Sequence, residues 1–267
     1  MYVPVSECGI ENISTRIVNG TRVKDGQYPW IVFIQTEVGP GKAAACTGSI
    51  INDRFVMTAA HCVFPGTSAA QKPSKILVFT GPSCLSQLRM TMPMMVKEIY
   101  KHPGYPDQAD SADDIALLEL WQPLQFTETL RPICLPNYDV YDNYAAAGYG
   151  KTNFGFLLIA SKCLKEAELE AADHEICRNM GQHYDPSRSI CVGSGKSAAC
   201  SGDSGGALMT RRDGRVYAAG IASTASLDCG AITSLPNVYE RVVRHISWIQ
   251  ERTRHATWCR APCQAIN

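Results

Sequence analysis

The sequence has 267 residues, a formal net charge of zero and a hydrophobic content of 45%. This length and composition suit a packed globular protein of one or two domains and exclude an intrinsically disordered chain. Because the charges balance, no global field attracts the protein to nucleic acid or to an anionic membrane, and we predict neither as a partner. No stretch approaches the roughly 20 apolar residues of a membrane span.

The chain contains twelve cysteines. In a reducing compartment most of them would remain oxidisable thiols, so this number predicts export. Two glycosylation sequons, which begin at Asn12 and Asn19, agree with that compartment. Met1 to Ser6 contain no apolar run, so we expect that a leader peptide has been removed. We therefore predict a secreted, extracellular glycoprotein.

Short β-rich runs between turn signals recur along the chain and predict an all-β protein. In chain order they cover residues 30–36, 48–58, 76–80, 94–100, 115–120 and 216–222. Near the end, Val242, Ile246 and Ile249 fall at helical spacing with Trp248 beside them. This spacing predicts an amphipathic helix over residues 241–252.

Three short motifs along these elements contain residue types suited to catalysis. In residues 58–62 a histidine, His61, follows small residues and precedes a cysteine whose disulfide would hold it in place. Asp114 leads into an apolar strand, where a buried carboxylate can orient a histidine. In residues 202–206 glycines surround Ser204, so the backbone can turn tightly and aim amides at a bound carbonyl. Taken singly, the motifs are explained as a core histidine, a strand cap and a turn.

In the order histidine, aspartate, serine, these motifs resemble the trypsin-like serine proteases, and the match extends from Cys8 to Trp248. Further matching segments are 16–20, 28–30, 46–49, 132–136, 148–150 and 236–239. The resemblance implies two packed antiparallel β-barrels with the active site between them. It divides the chain into a pro-segment (1–16), a protease domain (17–254, with the barrel boundary near 131–136) and a cysteine-containing tail (255–267).

The resemblance also implies the role of each residue in the three motifs. Ser204 is the expected nucleophile, His61 the general base and then acid, and Asp114 the residue that orients the imidazole. The backbone amides of Gly202 and Ser204 are expected to form the oxyanion hole. A serine endopeptidase of this kind needs no cofactor. An esterase with a Gly-x-Ser-x-Gly nucleophile elbow is disfavoured, because the sequence lacks the βαβ pattern of the parallel-sheet proteins in which that elbow occurs.

Members of this family are activated by cleavage before an Ile-Val pair, which here places the cut between Arg16 and Ile17. The new amine of Ile17 is expected to pair with Asp203 and to shape the oxyanion hole and pocket. We expect the uncut chain to be nearly inactive, because a buried carboxylate without its partner is held differently. Arg16 implies a trypsin-like activating protease, and a disulfide between Cys8 and Cys134 would keep the pro-segment attached.

The family pocket is read partly from the residue six before the serine, here Ala198, where trypsin-like enzymes use an aspartate to hold Arg or Lys. Ser223, Thr224 and Ala225 align with the strand that pairs with substrate backbone, and Asn237 replaces a glycine that commonly lines the pocket. We predict a shallow pocket for small or uncharged side chains and not for Arg or Lys. Asn237 either fills space or selects a polar side chain. Such an enzyme should cut its own precursor poorly.

The resemblance implies the disulfides Cys8–Cys134, Cys46–Cys62, Cys177–Cys191 and Cys200–Cys229. Cys84, Cys163, Cys259 and Cys263 match no complete family pair, which leaves three connectivities. We favour bonds from the tail to the body, since a bond between Cys259 and Cys263 would close only a small loop. We predict no metal site, because residues 81–88 lack the carboxylates with which some relatives bind calcium and no ligand spacing in the tail supports zinc.

The expected partners are protein or peptide substrates, the activating protease and a protein inhibitor. The main alternative is a catalytically idle homologue that serves as an extracellular binding or cofactor protein. That alternative rests on the altered substrate strand at 223–225 and on the altered pocket. Labelling of Ser204 by a fluorophosphonate after activation would count against it.

Overall fold

Two antiparallel sheets form the body of the protein. The computed structural model describes residues 7–12, 23–64, 72–105, 112–139, 143–150, 161–179, 184–193, 202–224 and 236–258. The first sheet contains β1 (Ile31–Gly39), β2 (Lys42–Ile50), β3 (Phe55–Thr58), β4 (Ile76–Phe79), β5 (Met94–Lys101) and β6 (Ala116–Leu120). It closes into a barrel in the order β1-β2-β3-β6-β5-β4.

The predicted run at 48–58 is two strands rather than one. Its middle turns because the side-chain oxygen Oδ1 of Asn52 accepts hydrogen bonds from the backbone N–H groups of Arg54 (3.0 Å) and Phe55 (2.8 Å). Asparagine forms such turns readily, since its short amide competes with strand pairing for the local backbone groups. The turn leads into β3, which places His61 just beyond the end of that strand.

The second sheet contains β7 (Tyr144–Gly148), β8 (Lys165–Leu169), β9 (Ser189–Val192), β10 (Ala207–Arg212), β11 (Arg215–Thr224) and β12 (Asn237–Arg241), in the order β8-β7-β10-β11-β12-β9. A bridge between Ala171 and Val192 joins its two edges. The N–H of Gly193 also donates to the carbonyl of Glu170 at 2.8 Å, so this sheet closes on itself as well. The predicted fold of two β-barrels is confirmed.

The barrels pack together through one continuous hydrophobic cluster that draws residues from both sheets. Across their contact, the ring of Phe33 in β1 lies edge-on to that of Tyr149, which follows β7, with centroids 5.5 Å apart. The short helices α1 (Leu85–Leu88) and α2 (His174–Asn179) lie in connections between strands. Within the ranges given above, no helix is long and apolar enough to cross a membrane.

The C-terminal helix is present, but it begins later than the sequence pattern predicts. Arg241 still belongs to β12, a 3-10 turn covers Val242–His245, and the α-helix α3 (Ile246–Arg252) follows. Arg241 stays in the strand because its guanidinium bonds to Asp139 (2.8 Å) and to backbone carbonyls of the second barrel. After α3 the chain returns to the first barrel, where the N–H of Thr257 donates to the carboxylate of Asp53 at 2.7 Å.

Residues 7–12 are packed on the second barrel as an integral part of the fold. The N–H of Gly9 donates to the carbonyl of Pro132 (2.8 Å), and the N–H of Val216 donates to the carbonyl of Gly9 (2.9 Å). Glu11 forms a two-point ion pair with the guanidinium of Arg211, with both N–O distances at 2.9 Å. Such bidentate pairs combine charge with fixed geometry. This segment is therefore held by side-chain and backbone contacts in addition to its disulfide.

Asn12, the first of the two sequon asparagines, uses its side-chain amide inside this segment. The amide nitrogen donates to the carbonyls of Gly26 and Glu128, each at 2.7 Å. An N-linked glycan replaces one of the two amide hydrogens, so a glycan on Asn12 would remove one of these bonds. Asn19 lies outside the described residues.

Four disulfides join described residues: Cys8–Cys134, Cys46–Cys62, Cys84–Cys163 and Cys177–Cys191. The preference for bonds from the tail to Cys84 and Cys163 was wrong, because these two cysteines bond to each other. Short backbone pairing brings them together, since the N–H of Leu164 donates to the carbonyl of Ser83 at 2.7 Å. Cys200, Cys229, Cys259 and Cys263 lie outside the described residues.

We expect the double substitution Cys84→Ser and Cys163→Ser to destabilise the protein strongly. This bond links positions 79 residues apart and ties the loop after β4 to the start of β8. Cross-linking a loop of that size stabilises a fold by up to about 4 kcal/mol. The midpoint of denaturant unfolding should fall clearly below that of the wild type. The matched control replaces Cys177 and Cys191, which are 14 residues apart and should cost less; a larger loss in the control would contradict the prediction.

Candidate active site

His61 and Asp114 meet where two paired strands end. His61 lies in the 3-10 turn after β3, and Asp114 lies two residues before β6. Because β3 and β6 are antiparallel, with Thr58 opposite Ala116, the end of one strand lies beside the start of the other. Asp114 Oδ1 accepts the backbone N–H of His61 at 2.9 Å, and Asp114 Oδ2 lies 2.7 Å from His61 Nδ1.

The Asp114 carboxylate is buried, with 3% of its side chain exposed, and a third donor reaches it from the other barrel. The hydroxyl of Ser223, in β11, donates to Asp114 Oδ2 at 2.6 Å. Since a carboxylate only accepts hydrogen bonds, His61 Nδ1 carries the proton, and Nε2 is left as the basic nitrogen. Sequence reasoning assigned Ser223 only to the substrate strand and missed this contact, for which no local motif gives a signal.

The environment raises the pKa of His61 above its ordinary value of 6.5. Burial acts in the opposite direction and lowers it, but the hydrogen bond to Asp114 and the charge of that carboxylate outweigh burial. The protonated imidazole is thereby stabilised, which is the form that a general base reaches after it accepts a proton.

We expect the activated protein to lose kcat/KM as the pH falls, with a midpoint above 6.5. The reaction needs neutral His61, and a raised pKa means that protonation removes that form at a higher pH than in a free histidine. Rates on an uncharged peptide substrate between about pH 5 and pH 9 would show this limb. Unfolding curves at the same pH values serve as the control. A midpoint at or below 6.5 would contradict the assignment.

Ser204 lies on a tight turn before β10 that packs against the histidine strand. Gly202 and Gly205 adopt φ values of 106° and 80°, which are unfavourable for other residues. A methyl group on Gly205 would lie 2.1 Å from the hydroxyl of Thr58 and 2.5 Å from the carbonyl of Thr47. The N–H of Thr47 also donates to the carbonyl of Ser204 at 2.9 Å. The turn is thus fixed against the first barrel near His61.

The structure therefore brings all three predicted residues to the contact between the barrels. His61 and Asp114 are directly bonded. Within the described part of the chain, no hydrogen bond joins the hydroxyl of Ser204 to His61, so this contact of the expected triad is open. In enzymes without bound substrate, the hydrogen bond between a nucleophile and its base is often longer than normal, and it shortens when substrate binds.

Asp203, the expected partner of the new amine, faces a pair of glycines at the end of β7. Its Oδ1 accepts the N–H of Gly150 at 2.7 Å. A methyl group on Gly148 or Gly150 would come within 2.0 Å or 2.1 Å of this carboxylate. The segment from 148 to 150 therefore shapes the pocket that holds Asp203. Arg16 and Ile17 lie outside the described residues.

The described residues show only part of the expected substrate pocket. Asn237 begins β12 and is 1% exposed, so its side chain is fully enclosed. Ser223 is partly buried and bonded to Asp114. Ala198 and Ala225 lie outside the described residues, as does the side chain of Thr224.

Two groups of described residues bring potential metal ligands together. Cys46, His61 and Cys62 form the first, but the two cysteines share a disulfide and offer no thiolate. His102, Asp113 and His245 form the second, with donor atoms within 4.8 Å of one another. A cation there would compete with the guanidinium of Arg188, which lies 2.6 Å from Asp113.

Comparison with known proteins decides the family. The model of the Trypsin family matches residues 17–249. The chain belongs to the trypsin family. One similar protein is melanization protease 1 of Drosophila melanogaster. It is 31% identical to this chain over 280 aligned positions, which cover 92% of this chain and 68% of that protein.

Two further trypsin-family relatives show similar identity. Urokinase-type plasminogen activator of Gallus gallus is 33% identical and matches 91% of this chain, which spans 59% of that protein. Coagulation factor XI of Bos taurus is 31% identical and matches 91% of this chain, which spans 38% of that protein. With its trypsin domain and these protease relatives, the protein is a serine endopeptidase.

Proposed function

We propose that this endopeptidase is secreted as a proenzyme, is activated by cleavage after Arg16, and uses Ser204, His61 and Asp114 to cut after small or uncharged residues. The observation that carries the proposal is the buried Asp114 carboxylate bonded both to the backbone and to the ring of His61. This geometry leaves Nε2 to remove the proton of Ser204 and then to deliver it to the leaving amine.

The turn at residues 202–206 supports the role of Ser204. Gly202 and Gly205 give this turn φ values that glycine adopts readily. In the activated enzyme the amides of Gly202 and Ser204 on this turn would then form the oxyanion hole. In that role each donor stabilises the charged tetrahedral intermediate by roughly 3 kcal/mol. The enzyme then passes through an acyl intermediate on Ser204, which water resolves with His61 acting again as base.

Activation after Arg16 is supported by how the chain before it is held. Residues 7–12 are fixed to the second barrel through Cys8–Cys134 and through the Glu11–Arg211 ion pair. A cut after Arg16 therefore frees Ile17 while the pro-segment stays attached. The glycines at 148 and 150 give the Asp203 carboxylate close backbone packing, where an amine would bond to it.

A preference for small or uncharged residues rests on two positions. Ala198 supplies no negative charge at the place where trypsin-like enzymes bind Arg or Lys, and Asn237 is fully enclosed in β12. A cationic side chain in such a pocket would lose its hydration without gaining an ion pair. Because the activation site ends in arginine, we expect a separate trypsin-like protease to activate the precursor and a protein inhibitor to control the product.

Secretion is supported by the four disulfides between described residues. Such bonds persist in oxidising compartments and are rare in the cytosol. The substrates are then proteins or peptides outside the cell.

The test is a peptide-library cleavage profile of the protein after treatment with immobilised trypsin, which is then removed. The uncut chain and a processed Ser204→Ala variant run beside it, and N-terminal sequencing verifies Ile17. We expect cutting after small or uncharged residues only in the processed wild type, together with fluorophosphonate labelling of Ser204.

Other outcomes would overturn separate parts of the proposal. Cutting after Arg or Lys would refute the pocket assignment. Equal activity of the uncut chain would refute the proenzyme. A verified Ile17 terminus without cutting or labelling would favour the idle homologue.

A further inference from the structure

Asp113, the residue before Asp114, has an unusual backbone conformation. Its φ is 53°, in the left-handed region that residues other than glycine rarely adopt. The N–H of Ile115 donates to the carbonyl of Asp113 at 2.7 Å, which closes a tight turn with Asp114 at its centre. A conformation of this kind costs on the order of 1 kcal/mol or more, so surrounding contacts must hold it. The turn sets the direction in which the Asp114 side chain leaves the backbone.

The contact that holds Asp113 comes from the other barrel. The guanidinium of Arg188, which immediately precedes β9, lies 2.6 Å from Asp113 Oδ2, whereas Asp113 precedes β6 of the first barrel. The ion pair therefore crosses the contact between the barrels directly behind Asp114. Backbone packing supports it, because a methyl group on Gly104 would lie 2.2 Å from the same carboxylate oxygen.

Three further titratable groups surround this ion pair. His102 Nδ1 and His245 Nε2 each lie 3.9 Å from an oxygen of Asp113, and His245 Nε2 lies 2.8 Å from Glu240. The ring of His102 also stacks edge-on against that of Trp248, with centroids 4.9 Å apart. Histidines at 3.9 Å are beyond hydrogen-bond range of the carboxylate, so Arg188 makes its direct charged contact.

The protonation state of His102 also leaves Arg188 as the positive charge opposite Asp113. Burial lowers the pKa of His102, and the charges of His245 and Arg188 lower it further, which together outweigh the opposite effect of Asp113. The N–H of Gly104 donates to His102 Nδ1, which requires that nitrogen to be unprotonated. His102 is therefore a neutral neighbour of Asp113 near pH 7, while an arginine keeps its charge at every relevant pH.

We propose that Arg188 is a positioning residue for catalysis: its ion pair with Asp113 fixes the left-handed turn and thereby holds the Asp114 carboxylate on His61. The inference rests on the proposed triad. Arg188 touches no reacting atom and acts through Asp113 and Asp114. Its position in the second barrel makes the alignment of the histidine and aspartate depend on the docking of the two barrels.

The test compares Arg188→Gln and Arg188→Lys in the full chain, each activated with immobilised trypsin and verified for the Ile17 terminus. Arg244→Gln is the matched control, because Arg244 is a nearby arginine whose hydrogen bond among the described residues goes to a backbone carbonyl, that of Ser187, at 3.2 Å. Active sites are counted by fluorophosphonate titration, so that kcat refers to competent enzyme. Unfolding midpoints are measured on the same samples.

We expect Arg188→Gln to lower kcat by roughly 10- to 100-fold at nearly unchanged KM, because misplacement of a catalytic group by about 1 Å has that effect. The acid limb of kcat/KM should move to lower pH, since a displaced Asp114 no longer raises the pKa of His61 as strongly. Arg188→Lys, which keeps the charge, should recover part of the rate. Arg244→Gln should match the wild type.

Three results would overturn the inference. If the wild type is active and a folded Arg188→Gln protein keeps the same kcat and the same acid limb of kcat/KM, the role of Arg188 is refuted and the proposed triad is not. A loss fully accounted for by fewer titrated sites, with normal kcat per site, would show a purely structural role. An inactive wild type with a verified Ile17 terminus would refute the proposed triad and this inference together.

Discussion

Asp114→Asn should lower kcat of the activated enzyme by about 10⁴-fold while the protein remains folded. The asparagine can keep accepting the backbone N–H of His61 through its oxygen, so the local turn survives. Its amide nitrogen then faces His61 Nδ1 as a donor, and Nδ1 must become an acceptor. The ring proton moves to Nε2, which can no longer take the proton of Ser204. The substitution also removes the negative charge that stabilises the imidazolium.

The measurement is single-turnover or steady-state hydrolysis of a peptide found in the library profile, with active sites titrated. Asp213→Asn is the matched control, because Asp213 is 86% exposed on a turn with φ of 50°, a conformation that asparagine tolerates. We expect that variant to match the wild type. A folded Asp114→Asn enzyme within tenfold of the wild type would exclude Asp114 from the triad.

Arg16→Gln should prevent activation by trypsin and leave the protein roughly 10²- to 10⁴-fold less active than the processed wild type. This range reflects the loss of oxyanion-hole donors, since a single lost donor costs roughly 10²- to 10³-fold in kcat. Without the cut, Ile17 has no free amine to offer Asp203, and the oxyanion hole is not completed. The uncut chain holds this carboxylate against Gly148 and Gly150, where its Oδ1 accepts the N–H of Gly150 at 2.7 Å.

Activity after trypsin treatment, normalised to protein concentration, measures this effect, and N-terminal sequencing identifies every cut. Arg89→Gln is the control, since Arg89 is an exposed arginine at the end of α1 and its loss removes a different trypsin site. It should activate normally. Activation of Arg16→Gln to the wild-type level would place the activating cut elsewhere or show that none is needed.

The amino-acid pattern alone was sufficient for the features that are local in the chain. The alternating and buried strand runs, and the helical spacing of Val242, Ile246 and Ile249, follow from which residues must face a core. The segments around His61, Asp114 and Ser204 are recognisable because small residues and glycines are needed there for backbone geometry. The family match over 17–249 then confirms the architecture and the enzyme class.

Only the tertiary structure decided the contacts that join distant parts of the chain. The Cys84–Cys163 bond spans 79 residues, and the bond from Ser223 to Asp114 spans 109. The ion pair of Arg188 with Asp113 spans 75 residues. Each arises because one barrel packs against the other in a single orientation, which no pattern within either barrel specifies. The first cysteine pair was therefore misjudged, and the arginine behind Asp114 had no signal in the sequence.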